Sequence, residues 1–163
     1  MSSGVPALKK LADLIAVASK LAAISMDIQM AVLCDAATDN NGKLNVLGTF
    51  DTIYTSQLPA IHPQCSIAIR MTFGKEEEGA HKVKLNFVDE DGKSVMPPIE
   101  IPIDVAVPDE TIFLSRNFIV NIQKLKFEKE GLYSIDIAVD GRQEGNIPLL
   151  VKIPPQQGTQ PHH

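Results

Sequence analysis

The stretch Phe127-Glu-Lys-Glu-Gly-Leu-Tyr-Ser-Ile-Asp-Ile-Ala-Val-Asp-Gly141 decides how this chain is built. Tyr133, Ile135, Ile137 and Val139 alternate with Ser134, Asp136, Ala138 and Asp140. One face is apolar and the other polar, the period-two signature of a half-buried strand. Asp140-Gly141 then supplies the positive-φ pair of a two-residue hairpin turn. Working outward, the spacing predicts strands over 132–139 and 143–152 as the last hairpin.

The same alternation recurs upstream. Cys65, Ile67, Ile69, Met71 and Phe73 form one apolar row, and Val83, Leu85 and Phe87 form another, which ends at Asp89-Glu-Asp-Gly92. Ile28, Met30, Val32 and Cys34 read as an apolar row opposite Gln29, Ala31, Leu33 and Asp35. Asp39-Asn-Asn-Gly42 is a turn into Lys43–Thr55, with a bend expected at Gly48. Ile99, Ile101, Ile103 and Val105 are flanked by prolines 97, 98 and 102, which suits an edge strand. Residues 111–122 read as a strand broken near Ser115-Arg116. About eight short strands with no crossover helices predict an all-β, antiparallel sandwich. Its core should hold Tyr133, Ile135, Ile137, Val139, Val83, Leu85, Phe87, Ile67 and Ile69.

Gly131-Leu-Tyr133 at the start of its strand resembles the tyrosine corner of immunoglobulin-like sandwiches, which implies that fold. Ile135 stands where antibody domains carry Cys, so the resemblance is to the architecture and not to antibodies.

Composition narrows the function classes. A net charge of -5, with 15 Lys and Arg scattered among 20 acids, gives no basic face for a phosphate backbone. The absence of Trp and the scarcity of aromatics disfavour stacking on sugars or bases. Cys34 and Cys65 lie in apolar strand patterns and read as reduced, buried and inert, with a cross-strand disulfide the lesser alternative. The apolar run after Lys9-Lys10 is interrupted by Asp13 and Lys20, too charged for a secretion signal and too short for a membrane span. The expected location is cytoplasmic.

Three regions follow. Residues 1–25 are rich in Ala, Leu and Lys, with Pro6 at a position suited to a first helical turn. The helix is expected over 7–24, with Leu8, Leu11, Leu14, Ile15, Ala18 and Leu21 on a broad apolar face and Lys9, Lys10, Asp13 and Lys20 on a narrow polar strip. Residues 26–153 form the sandwich. Residues 154–163 have disordered composition, and their closing histidines are consistent with a tag remnant.

The sandwich region is similar to a family of small bacterial proteins classed as a domain of unknown function. The likeness rests on Met30-Ala-Val-Leu-Cys-Asp-Ala36, Gly42-Lys-Leu-Asn-Val-Leu-Gly-Thr-Phe-Asp-Thr-Ile53, His62-Pro-Gln-Cys-Ser-Ile-Ala-Ile-Arg70 and Asp140-Gly-Arg-Gln-Glu144. The resemblance implies no activity. It implies a shared domain beginning at Met26, with the helix an addition to it, either native or engineered.

Candidate chemistry is thin. Asp89, Glu90 and Asp91, with Asp35 and Asp39, invite a calcium reading, but Asp-Gly at a tip is ordinary turn chemistry. His62 and His81 lack ligands at metal-binding spacing, so no metal is expected at Asp89, Asp91, His62 or His81. Gly74-Lys-Glu-Glu-Glu-Gly79 reads as an acidic hairpin tip that repels phosphate. No catalytic residue or cofactor is expected. Thr49–Tyr54 and the turn carrying Arg142 and Glu144 are candidate partner-binding rims, Arg142 being able to grip a carboxylate unless Glu144 or Asp140 already occupies it.

The helix carries the strongest functional signal. Self-association through Leu8, Leu11, Leu14, Ile15, Ala18 and Leu21 ranks first. Packing on its own sandwich, a likeness to helices that deliver cargo enzymes into bacterial microcompartments, and membrane-surface insertion rank after it. The leading expectation is a non-catalytic oligomerising scaffold or accessory subunit that presents its sandwich to a protein partner. A small-ligand or substrate-binding module is the alternative, and an enzyme comes third.

Overall fold

A computed structural model describes residues 4–22 and 24–156. One helix, α1 (Val5–Ala22), precedes nine strands. These are β1 (Asp27–Asn40), β2 (Lys43–Phe50), β3 (Thr52–Tyr54), β4 (Ala60–Gly74), β5 (Gly79–Asp89), β6 (Ile99–Val105), β7 (Phe113–Phe127), β8 (Gly131–Val139) and β9 (Arg142–Lys152). They form a four-stranded sheet in the order β2-β1-β4-β7 and a five-stranded sheet in the order β3-β9-β8-β5-β6. Every pairing is antiparallel except β3 with β9. The result is an immunoglobulin-like β-sandwich with an N-terminal helix.

All nine core residues expected from the alternation are buried. Tyr133 donates its hydroxyl proton to the Lys129 carbonyl at 2.7 Å, the tyrosine corner in its usual place at the start of β8. Its ring meets Phe127 edge-on at 5.0 Å and Phe87 at 6.3 Å, so the corner is also an aromatic cluster of the core. The Asp140-Gly141 turn joins β8 to β9 with φ of 50° and 81°, the backbone a tight hairpin requires. β6 lies at the edge of its sheet, where Pro102 removes no ladder bond that matters.

Four expectations are corrected. In β1 a bulge between Ile28 and Met30 inverts the alternation, so Ala31 and Leu33 face the core while Met30 and Val32 do not. Residues 113–127 form one unbroken strand through Ser115-Arg116, held along its length by β4. Gly74–Gly79 is no hairpin tip. It is a crossing between sheets, with a short 3-10 turn at Lys75–Glu77. Lys43–Thr55 divides into β2 and β3 because the chain changes sheets after Phe50, which raises the count from about eight strands to nine.

The expected bend at Gly48 is present at φ 66, and a Cβ there would lie 2.3 Å from Asp35 Oδ2. It folds the β1–β2 hairpin back over the outer face of its own sheet. Arg70 Nη1 donates to the Gly42 carbonyl at 2.7 Å, and Asn117 Nδ2 donates to Asp39 Oδ2 at 2.6 Å. This cover explains why Cys34, Ser66 and Ala68 are buried although they point away from the core between the sheets.

Among the described residues, the hold on the chain around α1 comes after its exit, where the Met26 amide donates to Glu77. It begins at Val5, with Pro6 in its first turn, and ends at Ala22. Every described side chain from Gly4 to Ser19 is exposed.

Candidate functional site

Two surfaces carry the residues singled out in the sequence. The first is the apolar face of α1. Leu8, Leu11, Leu14 and Ile15 are 67%, 54%, 59% and 58% exposed, and Ala18 is exposed too. They lie on one face because residues three and four apart are neighbours on a helix. Nothing in the described sandwich covers them. The side chains of Lys20 and Leu21, and residues 157–163 of the tail, lie outside the described residues.

The second surface is a rim cavity of about 340 Å³ where the β8–β9 turn meets the start of β5. Its lining includes Met26, Phe73, Glu77, His81, Asp140 and Arg142. The sheet ladders bring these groups together from points far apart in the chain. His81 lies between two acceptors: Nδ1 is 2.6 Å from Asp140 Oδ2 and Nε2 is 2.6 Å from the Glu77 carbonyl oxygen. A neutral imidazole has one donor, so two acceptors favour the imidazolium. The Asp140 hydrogen bond, seconded by the Glu77 carbonyl, raises the His81 pKa above 6.5. In turn His81, with the Lys82 amide, holds the Asp140 carboxyl below its ordinary range. Phe73 stacks beneath the ring at 6.1 Å.

Arg142 stands at the cavity mouth as the sequence suggested. Its Nε donates to Glu144 Oε1 at 2.5 Å. The two rim residues are thus paired with one another, and this contact raises the Arg142 pKa. Both are at the surface, where such a pair contributes little energy.

Glu77 has a structural task that the sequence did not signal. One carboxylate oxygen accepts the Gly74 amide at 2.6 Å and the other accepts the Met26 amide at 2.9 Å. The Ile24 carbonyl passes so close to Gly74 that a Cβ there would lie 1.9 Å from it. The segment leading from α1 is therefore clamped beside the rim cavity.

The remaining candidates are dispersed. Asp89 accepts the Asp91 and Lys93 amides at 3.0 Å each, and the Lys93 amide above all keeps its pKa low. Lys129 Nζ lies 2.6 Å from Asp91 and 3.4 Å from Asp89, so the acidic tip is partly neutralised from within. No group of three or more metal-ligating side chains converges among the described residues. His62 packs against Phe50 at 5.5 Å, far from His81 in the fold's layout. Cys34 and Cys65 are free and buried, and burial pushes the Cys65 thiol up to about 11. Within Thr49–Tyr54, Asp51 and Thr52 bond to each other, and the Asp51 carbonyl accepts the Leu150 amide at 2.7 Å at the sheet switch. No described helix is long and apolar enough to cross a membrane.

Comparison with known proteins gives a family and no activity. A model described as a family of unknown function (DUF6941) matches residues 29–152, leaving α1 outside it. No curated protein matches the chain. Among solved structures, an immunoglobulin-like protein from Pseudomonas aeruginosa aligns over 79% of this chain and 98% of its own, at 10% identity and a TM-score of 0.38.

Proposed function

The chain belongs to the family of unknown function DUF6941, and from its own geometry we propose that it is a non-catalytic, cytoplasmic scaffold or accessory subunit. It self-associates through α1 and presents its sandwich to a protein partner. One observation carries this reading: the face formed by Leu8, Leu11, Leu14, Ile15 and Ala18 is exposed along its described length. Burying each Leu or Ile contributes about 1.5–3 kcal/mol, whereas a short helix alone in water is only marginally stable. A second copy is the favoured occupant because the three-four spacing of Leu8, Leu11, Ile15 and Ala18 is that of a helix-bundle seam. Mass-resolved sizing of the full chain beside one starting at Met26 tests this. The full chain should sediment as an oligomer and the shortened chain as a folded monomer.

A second reading, small-ligand binding, draws support from the rim cavity. Its volume of about 340 Å³ falls at the low end of ligand pockets, and Phe73, His81 and Arg142 give it an apolar floor and a polar mouth. Saturable binding that His81→Ala abolishes would favour it.

A further inference from the structure

Strand β7 closes one end of the four-stranded sheet and pairs with β4 alone among the described strands. One side of its backbone therefore presents unpaired N–H and C=O groups, a template for another strand. The other edges are short or blunted. β3 has 3 residues, β6 has 7 with Pro102 in the middle, and β2 has 8 with the bend at Gly48. By contrast β7 runs for 15 residues without Pro or Gly. Its one irregularity is Lys124 at φ 53, which leaves a regular run from Phe113 to Gln123. In immunoglobulin constant-type domains a further strand lies beyond this position; none lies there among the described residues.

The charge on this edge is one-sided. β7 carries Arg116, Lys124 and Lys126 and no acid, in a chain of net charge -5. All three are exposed. Lys126 pairs with Glu128 at 2.8 Å, whereas Arg116 and Lys124 form no ion pair among the described residues. A second copy laid on this edge brings the three cations of one β7 towards the three of the other, with no acid on either strand to offset them. The chain's own tail, residues 154–163, has three prolines and no acid, so it is a poor strand and a poor counter-charge.

We propose that β7 is an acceptor edge for an extended, acidic segment of a partner protein, which adds to the sheet as a fifth strand. Backbone hydrogen bonds supply the attachment, and Arg116 and Lys124 select carboxylate-bearing strands. This rests on the reading that the sandwich faces a partner, and it names the edge that does so.

The test uses the full chain and a capped ten-residue peptide of alternating Val and Glu. The controls are the same peptide with Lys in place of Glu, and the Glu peptide with alternate amides N-methylated. Titration followed by hydrogen exchange should show saturable binding of the Glu peptide, with new protection confined to β7. The Lys and N-methylated peptides should bind at least about ten-fold more weakly, and R116E/K124E should reverse the preference between Glu and Lys peptides. Absence of saturable binding, equal binding of the N-methylated peptide, or protection away from β7 overturns the proposal. Sedimentation of the same samples keeps the two readings apart. A monomer that binds the peptide sinks self-association and leaves the edge standing, and an oligomer that does not bind it does the reverse.

Discussion

The Glu77 carboxylate accepts the Met26 amide at 2.9 Å, across 51 positions of sequence, and so fastens the segment that carries α1 to the end of β4. The same carboxylate holds the Gly74 amide. Residues 24–26 thus sit on the sandwich although the family match begins at residue 29.

Removing this clamp should loosen the segment while sparing the core. Glu77→Ala deprives two amides of a charged acceptor, and a hydrogen bond to a charged group contributes about 1.5–3 kcal/mol. Gly74→Ala sets a methyl against the Ile24 carbonyl, an overpacking that costs about 1–3 kcal/mol. Urea unfolding should register both losses, and amide exchange at Met26 should accelerate in Glu77→Ala. Unchanged exchange there would show that the clamp does not hold the segment.

Tyr133→Phe keeps the aromatic cluster and removes only the hydroxyl that ties to Lys129. Stability should fall by about 1 kcal/mol with the denaturant slope unchanged. A loss of several kcal/mol would mean that the corner organises more than one turn.

Stability should depend on pH through the His81–Asp140 pair. The His81 pKa is raised, so its contribution is fully present below the ordinary 6.5 and declines as pH rises through the folded value. The Asp140 pKa is lowered, so its contribution is present above 3.8 and declines as pH falls through the folded value. The pair therefore stabilises most between pH 3.8 and 6.5. Urea midpoints measured from pH 4 to 9 should fall across the neutral-to-basic side, and His81→Gln should flatten that fall. A wild-type curve parallel to that of the variant would contradict the linkage.

Neither cysteine should react while the chain is folded. Both are buried, and the Cys65 thiol is pushed up to about 11, so its thiolate is scarce at neutral pH. Maleimide labelling followed by mass measurement should find both sites blocked in buffer and both labelled in denaturant.

The sandwich was legible because burial on one face imposes period two on sequence. Tyr133, Ile135, Ile137 and Val139 could be placed in a core without knowing their partners. What escaped depends on partners. The bulge at Ile28/Met30 inverts β1 because β4 fixes its register, and β7 runs straight through Ser115-Arg116 for the same reason. The rim cavity joins His81 to Asp140 across 59 positions, and Asp140 read locally is simply a turn residue. Arg142 and Glu144 were identifiable as rim residues by their place after a tight turn, and the sequence also raised their pairing with each other. Glu77 gave no local signal, because an acid in a Gly-flanked run looks the same whether it caps two amides or faces water.

Self-association through α1 is tested most directly by the solution mass of the full chain beside that of L11D/I15D. These substitutions put two charges at the centre of the exposed apolar face and touch nothing in the sandwich. Wild type should run at a multiple of the single-chain mass, and the variant at the single-chain mass with an unchanged unfolding midpoint for the sandwich. A wild type that runs as a single chain, or a variant that keeps the oligomeric mass, contradicts it.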